Sequence, residues 1–321
     1  EGIHQQVEWA RALARTYYGL PARRNYWNGC STGGRQGLAL AQKYGDEFDG
    51  ILAGAPAIYW QEFRLADAWP ALVVREELTA HGKSLSSAQF AATNAGAVSA
   101  CDVAGLDTVR DGLMADPRAC GYSAVANICG TPGAADRPLC LDADQARAID
   151  RIWQGPVNDR GRQVWYPFNR GVRLAEGGFF GGFGSVGSST GQVMAYNHKD
   201  VEISTDRLFT GQTAIAAARS PVGAIRYADE AQLGSRLVGD LMDTRSVDLD
   251  KLKSHGGKLI VWHGTHDGAI RWTQSLDYYR RVATHYGNGK ADFELEVVLT
   301  DAAGTAVAVT QGLYQLRSIG R

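Results

Sequence analysis

Long apolar runs are missing from this sequence of 321 residues. A membrane-spanning helix needs about 18 or more consecutive apolar residues, and no such run occurs, so we expect no membrane partner. Blocks of lysine and arginine are also missing, and the formal net charge is −1. Nucleic acids and anionic membranes are bound mainly through clustered positive charge. The composition therefore argues against both as main partners.

Cysteine pairs of the form C-x2-C are missing as well, which disfavours a metal site made of thiolates. The sequence has five cysteines: Cys30, Cys101, Cys120, Cys129 and Cys140. The last four are clustered in a segment rich in Gly, Asp and Pro. This clustering favours two local disulfides and therefore an oxidising compartment. Cys30 is the odd cysteine outside the cluster.

A recognisable signal peptide is also missing, and the first residues lead directly into a helical pattern without an initial Met. We therefore expect the natural polypeptide to extend upstream. Apolar residues make up 45% of the sequence and charged residues 21%. These are ordinary values for a globular protein, so we expect a sizeable core.

Residues 28–34 read NGCSTGG, in which 29–33 match the G-x-S-x-G pattern of a nucleophile elbow. A strand pattern precedes the serine and a helical pattern follows it, as an elbow requires. We expect Gly29 and Gly33 to permit the tight turn and close packing against the helix. We predict Ser31 as a nucleophile and the N–H of Thr32 as an oxyanion donor at the helix N-terminus. The alternative is a glycine-rich loop before a buried helix.

Helical and strand patterns on both sides of a long insertion predict an α/β protein. The predicted helices are 3–18, 33–44, 64–80, 86–100, 142–153 and 275–285, and the predicted strands are 25–27, 49–53, 258–262 and 293–299. We predict an α/β-hydrolase domain made of residues 1–60 and 245–321. Residues 61–244 are predicted to form a large inserted lid domain.

The segment NGCSTGGRQG at 28–37, followed by FDGILAGAP at 48–56, resembles the tannase and feruloyl esterase family. The resemblance extends over most of the chain, from residue 3 to residue 292. It implies a secreted or periplasmic α/β-hydrolase that cleaves carboxylic esters of aromatic or phenolic acids without an organic cofactor. In this family, a disulfide joins a cysteine before the serine to a cysteine after the catalytic histidine.

The block WHGTHDGAI at 262–270 matches the family's H-G-x-x-D pattern. The match implies that Asp267 is the acid of the triad, because a carboxylate at the carboxyl end of a strand can orient an imidazole. The alternative is that Asp267 caps the next helix. The match also implies that His263 lies near the bound substrate.

The family pattern ends abruptly after Phe293. No histidine follows His285, which we expect at the surface or at a helix end, and no cysteine follows Cys140. The family's His–Cys motif, which supplies the general base and the partner of Cys30, is therefore not found. We expect a hydrolase domain that lacks N-terminal strands and has an atypical C-terminus. The alternative to an active esterase is a catalytically inactive fragment or pseudo-hydrolase.

The segment between Cys101 and Cys120 resembles a calcium loop of the family, in which carboxylates alternate with backbone carbonyls. An apparent insertion of two residues lets Asp102 replace the family's first aspartate. The implied ligands are Asp102, Asp107 and Asp111 together with the carbonyls of Val109 and Leu113. The alternative is a turn that needs no ion.

The disulfide pairings favoured by the sequence are Cys101–Cys120 and Cys129–Cys140. Other connectivities remain open, but they would cross the same short loops. In the chain-entropy model, each bond would stabilise the fold by roughly 2–4 kcal/mol.

Overall fold

The structure is a computed structural model that describes most of the chain in separate ranges. They are residues 1–60, 69–103, 110, 112–114, 116–157, 161–163, 165–172, 242–287 and 295–300, the last of these as backbone only. Two compact units are distinguished. The first comprises Glu1–Ile58, Asp243–Gly264 and Trp272–Arg321, and the second comprises Tyr59–Met242 and Thr265–Arg271. Within the described ranges, no helix has the length and apolar character needed to cross a membrane.

The first unit contains a four-stranded parallel sheet with the strand order β1-β2-β3-β4. Its elements are α1 (Gly2–Tyr18), β1 (Tyr26–Cys30), α2 (Thr32–Tyr44), β2 (Gly50–Gly54), β3 (Lys258–Gly264) and β4 (Leu295–Thr300). Two further helices of this unit, Asp250–Ser254 and Thr273–His285, lie on either side of β3 in the chain. Because all strands are parallel, their carboxyl ends lie at one edge of the sheet. Cys30, Gly54 and Trp262 are aligned in one row there.

The apolar core of the first unit lies on one face of the sheet. Residues alternate between the two faces of a strand, so Leu259 and His263 of β3 share the buried face. Helix α2 covers this face at β1, where a Cβ on Gly37 would lie 2.7 Å from the ring of Trp27. The helix Thr273–His285 covers it at β3, where Ser275 contacts His263.

Three helices form the centre of the second unit. They are Trp69–Glu77, Ser87–Cys101 and Ala143–Gln154. The second and third begin with capping boxes, in which Ser86 pairs with Gln89 and Asp142 pairs with Gln145. Their apolar faces enclose a core that includes Trp69, Val73, Leu78, Phe90, Ile149, Ile152 and Trp153.

Two disulfides close loops of the second unit. They join Cys101 to Cys120 and Cys129 to Cys140. These are the pairings favoured from the sequence. The first bond ties the end of the helix Ser87–Cys101 to the loop that carries the predicted calcium ligands.

Candidate active site

Ser31 occupies the sharp turn between β1, which ends at Cys30, and α2, which begins at Thr32. Its backbone has φ 61° and ψ −117°, a conformation that residues other than glycine rarely adopt. Among the described residues, Ser31 and Ala55 are the non-glycine positions with positive φ. Such strain costs on the order of 1–3 kcal/mol and persists only where the surroundings hold it. The Ser31 residue is exposed at this turn.

Three backbone hydrogen bonds hold Ser31 in this conformation. Its N–H donates to the carbonyl of Gly54 at 2.9 Å. Its own carbonyl accepts the N–H of Arg35 at 3.0 Å and that of Ala57 at 3.5 Å. The turn is therefore fastened both to its own helix and to the end of the neighbouring strand β2.

Two glycines permit this close packing. A Cβ on Gly29 would lie 2.5 Å from the carbonyl oxygen of Gly33, and a Cβ on Gly34 would lie 2.2 Å from that of Gly54. Both approaches exclude any side chain. Gly33 itself has nothing within 4 Å of its Cβ position. Close packing was expected at Gly29 and Gly33, and the structure shows it at Gly29 and Gly34. Gly34 is crowded because it faces Gly54 at the end of β2.

Thr32 is the first residue of α2, and it is exposed. The first N–H groups of a helix have no acceptor within the helix, and the helix dipole adds partial positive charge there. The space beside Ser31 is therefore suited to an anion, as an oxyanion site requires.

Cys30 precedes Ser31 at the end of β1 and is exposed. The other four cysteines form the two disulfides, so Cys30 belongs to neither of these bonds. The pairing of Cys30 with a cysteine beside a catalytic histidine stays a prediction.

His263 is fully buried in β3, with 0% of its surface exposed. Its Nδ1 lies 2.8 Å from the Oγ of Ser275, which is also fully buried. Ser275 was not identified from the sequence, because nothing in the helical pattern of 275–285 marks it as a partner of β3. The contact of His263 with substrate stays a prediction.

Asp267 follows the carboxyl end of β3 and is half-buried. Its Oδ1 accepts the backbone N–H groups of Ala269 and Ile270, each at 2.9 Å. These bonds fix the orientation of the carboxylate within its own turn. Asp267 therefore caps the short turn that follows it. It is not the N-cap of the next helix, which begins at Thr273 with Trp272 at its N-cap.

The turn that contains Asp267 is supported by residues that sequence reasoning missed. The Arg271 guanidinium donates to the carbonyls of Gly268 (3.1 Å) and Ala269 (2.7 Å). It also stacks on Phe168, with 3.4 Å between the guanidinium carbon and the ring centroid. Asn169 donates to the carbonyl of Thr265 at 2.9 Å. No sequence signal joins these positions, which are about a hundred residues apart in the chain.

The predicted calcium ligands are only partly described. Asp107, Val109 and Asp111 lie outside the described residues. Asp102 is 4% exposed, and its Oδ2 accepts the N–H of Gly112 at 2.6 Å. Its Oδ1 is buried and has no hydrogen-bond donor among the residues with described positions.

Asp102 also lines a cavity of about 550 Å³ beside the helix Ser87–Cys101, together with Arg110 and Gly112. Leu113 follows these residues and is half-buried. Across the part of the chain that the structure describes, no group of three or more His, Cys, Asp or Glu side chains is arranged to hold a metal.

Comparison with known proteins supports the family resemblance. A family model described as "Tannase and feruloyl esterase" matches residues 1–300. A probable feruloyl esterase of Arthroderma benhamiae is 30% identical over an alignment of 298 residues that covers 89% of this chain and 51% of that protein. The mono(2-hydroxyethyl) terephthalate hydrolase of Piscinibacter sakaiensis is 28% identical over 318 residues, covering 87% and 51%. The chain spans about half the length of the curated relatives it matches.

Solved structures of similar fold were also found. Feruloyl esterase B from Aspergillus oryzae superposes with a TM-score of 0.69 at 22% identity, over 95% of this chain and 58% of that chain. Tannin acyl hydrolase from Aspergillus niger gives a TM-score of 0.63 at 21% identity, over 89% and 54%. These likenesses confirm the predicted α/β-hydrolase fold class. The chain belongs to the tannase and feruloyl esterase family.

Proposed function

We propose that this chain carries the nucleophile and the acid of a serine carboxylic ester hydrolase that acts on esters of aromatic or phenolic acids. The observation that carries the proposal is the strained backbone of Ser31, at a strand-to-helix turn in a member of this family. Strain of this kind is typical of a nucleophile elbow, since it exposes the hydroxyl at the carboxyl edge of the sheet.

In the proposed reaction, the Ser31 hydroxyl loses its proton to a histidine base and attacks the ester carbonyl. The N–H of Thr32 stabilises the negative oxygen of the tetrahedral intermediate. The base then protonates the leaving alcohol, and an acyl-enzyme on Ser31 remains. Water attacks this acyl group with the same base, which releases the acid and restores Ser31.

Asp267 is proposed to orient the base and to stabilise its charged form. Its two hydrogen bonds from the 269 and 270 N–H groups give the carboxylate a defined direction. The sequence after Asp267 contains one histidine, His285, on the surface of the helix Thr273–His285. The proposal therefore assigns the nucleophile and the acid to named residues and assigns the base to none.

The substrate class follows from the names of the relatives. Feruloyl esterase, mono(2-hydroxyethyl) terephthalate hydrolase and tannin acyl hydrolase all denote enzymes that act on esters of aromatic acids. We propose a small-molecule substrate of this class. The two disulfides support a secreted or periplasmic location, since such bonds persist in oxidising compartments.

We also propose a structural calcium ion in the second unit. Asp102 fits a calcium ligand, because its buried carboxylate oxygen has no hydrogen-bond donor among the described residues and such an oxygen is stabilised by a cation. The full proposed ligand set is Asp102, Asp107 and Asp111 with the carbonyls of Val109 and Leu113. Bound calcium would supply positive charge that holds this disulfide-closed loop together.

The proposed activity can be tested by covalent labelling. The purified chain is incubated with a fluorophosphonate probe, and the modified residue is located by peptide mass spectrometry. We expect a single adduct on Ser31 that is lost in Ser31→Ala. Absence of an adduct on Ser31, together with no turnover of a p-nitrophenyl ester, would contradict the proposed function of this chain.

A further inference from the structure

The turn that carries Asp267 belongs to the second unit, as part of its range Thr265–Arg271. We call residues 265–271 the acid turn. The strand β3, which leads into this turn, ends at Gly264 and belongs to the first unit. Contacts within the second unit therefore set the position of Asp267. They come from residues 168–172, which we call the clamp segment.

The clamp segment is fixed to the helical core of the second unit. The N–H of Phe168 donates to Trp153 O at 3.1 Å, and the N–H of Gly171 donates to Asn94 Oδ1 at 3.1 Å. The Asn94 side chain also donates to the carbonyl of Val172. Phe168, Trp153 and Asn94 are all buried, so the clamp segment has a well-packed support.

Asn169 makes the first contact between the clamp segment and the acid turn. Its Nδ2 donates to Thr265 O at 2.9 Å. Both residues are buried. Loss of the Asn169 amide would therefore remove the donor to a buried carbonyl, which is costly.

The backbone of Gly171 makes the second contact. Gly171 has φ 84°, and a Cβ there would lie 3.3 Å from His266 Nε2. The His266 ring thus packs against the backbone of the clamp segment, while its Nδ1 lies 3.1 Å from Thr265 Oγ1. The beginning of the acid turn is therefore held by two successive contacts.

Phe168 makes the third contact, at the other end of the acid turn. The guanidinium carbon of Arg271 lies 3.4 Å from the centroid of the Phe168 ring. Both side chains are buried. A buried cation is costly when nothing compensates its charge, and the face of an aromatic ring attracts a cation. The ring therefore fixes the place of the Arg271 guanidinium.

Two peptide groups join Arg271 to Asp267. Arg271 Nη1 donates to the carbonyls of Gly268 and Ala269, at 3.1 Å and 2.7 Å. The other sides of the same two peptide groups are the N–H groups of Ala269 and Ile270, which donate to Asp267 Oδ1 at 2.9 Å each. Because peptide groups are planar and rigid, the place of the guanidinium sets the direction of the carboxylate.

We propose that Arg271 and Asn169 are positioning residues for Asp267, through which the clamp segment holds the carboxylate in its catalytic orientation. The proposal rests on the proposed role of Asp267 as the acid of the triad. Neither residue is proposed to touch the substrate or the base. Orientation matters here, because a displacement of about 1 Å can slow an enzymatic reaction by about 100-fold.

Amide hydrogen exchange, measured by NMR, tests the placement of the acid without reference to activity. In Arg271→Met and in Asn169→Ala, exchange at the Ala269 and Ile270 amides should become at least about 10-fold faster, because both N–H groups donate to the acid. Exchange at Ile149 in the core helix Ala143–Gln154 should change by less than about 2-fold. Unchanged exchange at Ala269 and Ile270, or equal acceleration at Ile149, would overturn the proposal.

The rate of fluorophosphonate labelling at Ser31 tests the consequence for the reaction. It is measured in the original chain, Arg271→Met, Asp267→Ala and the double variant. We expect Arg271→Met to label roughly 10-fold more slowly than the original chain. In the Asp267→Ala background the same substitution should change the rate by less than about 2-fold, because a positioning residue acts through the acid. An equal loss in both backgrounds would show a purely structural effect and overturn the proposal.

Arg151→Met is the matched control. Arg151 also lies over an aromatic ring of the second unit, 5.1 Å from the Trp69 centroid, and forms an ion pair with Glu77. Its replacement should lower the Tm but leave labelling and the exchange at Ala269 unchanged. Labelling as slow in Arg151→Met as in Arg271→Met would overturn the positioning role.

The same measurements separate failure of this inference from failure of the proposed function. Labelling as fast in Asp267→Ala as in the original chain would contradict the proposed role of Asp267. Slow labelling of Asp267→Ala with full-rate labelling of Arg271→Met would overturn the positioning role alone. If Ser31 is not labelled in the original chain, its role as nucleophile fails, and exchange at Ala269 and Ile270 decides the placement of the acid.

Discussion

Gly34 in α2 and Gly54 at the end of β2 approach so closely that a Cβ on Gly34 would lie 2.2 Å from the Gly54 carbonyl oxygen. The same carbonyl accepts the N–H of Ser31 at 2.9 Å. We therefore expect Gly34→Ala to displace this carbonyl, to lower the free energy of unfolding by about 1–3 kcal/mol, and to slow fluorophosphonate labelling of Ser31. Urea unfolding and labelling kinetics measure the two effects.

Gly33→Ala is the matched control for this prediction. Gly33 has nothing within 4 Å of its Cβ position, and alanine favours a helix over glycine by about 1 kcal/mol. We expect this variant to be as stable as the original chain or slightly more stable. Equal destabilisation by both substitutions would show that the close approach of Gly34 to Gly54 does not hold the elbow.

The proposed calcium site predicts that a chelator destabilises the protein. A free Ca2+ concentration of about 100 times the dissociation constant would add about 2.7 kcal/mol to the free energy of unfolding. We expect EGTA to lower the Tm by several degrees and added Ca2+ to restore it, because the buried Asp102 oxygen then regains a cation. Asp102→Asn should abolish most of this response.

Asp116→Asn serves as the control in the same loop, because this carboxylate is already paired with Arg118 at 2.6 Å. Its calcium response should match that of the original chain. A Tm that is insensitive to both EGTA and Ca2+ in the original chain would rule out a stabilising calcium ion.

Removal of either disulfide should lower the stability, and the loss should be larger for the disulfide that closes the longer loop. Replacing Cys101 and Cys120 by serine should lower the free energy of unfolding by about 2–4 kcal/mol. The effect should be slightly smaller for Cys129 and Cys140, because their sequence separation is 11 rather than 19. Cys30→Ser should change the stability little, since Cys30 is exposed and belongs to neither bond. A larger loss in Cys30→Ser than in the paired variants would contradict this assignment.

The ion pair between Arg24 and Asp49 predicts how the stability changes in acid. A hydrogen bond from Arg24 at 2.5 Å, helped by the N–H of Asn25, lowers the pKa of Asp49. Its stabilising contribution is therefore present above the unfolded pKa of about 3.9 and is lost as the pH falls through the folded value. We expect Asp49→Asn to lose less stability than the original chain as the pH falls below about 4, the unfolded pKa, towards the lower folded value.

Asp46→Asn is the control for the acid response, because Asp46 is exposed on the neighbouring turn. Urea unfolding midpoints at several pH values should show the original acid dependence in this variant. If Asp49→Asn shows the same dependence, then the Arg24–Asp49 pair contributes nothing measurable.

The local parts of this fold could be predicted from the sequence. The elbow depends on residues 28–37, where a short strand, a serine and a helix follow one another, so its pattern is visible in one window. The disulfides depend on neighbouring cysteines in short loops. In both cases the interacting groups are close in the chain, and their spacing restricts what they can form.

The remaining contacts depend on residues that are distant in the chain. Gly34 is crowded and Gly33 is not, because the backbone of Gly54 in β2 packs against Gly34. A contact with a separate strand is not visible in the sequence around the elbow. His263 is buried against Ser275, a partner that belongs to a different element. Asn169 lies far from Thr265 in sequence, and a single sequence does not show which distant groups meet. Such contacts are set by the tertiary packing of the sheet and its helices.

The central proposal is that Ser31 is the nucleophile of an esterase that cleaves esters of aromatic or phenolic acids. Its most direct test is to mix the chain with the p-nitrophenyl ester of ferulic acid, to quench with acid, and to map the peptides by mass spectrometry. We predict a feruloyl group on the peptide that contains Ser31, absent in Ser31→Ala and less abundant with an aliphatic acyl ester. A feruloyl group on another residue, or none on Ser31 while p-nitrophenol is released, would contradict the claim.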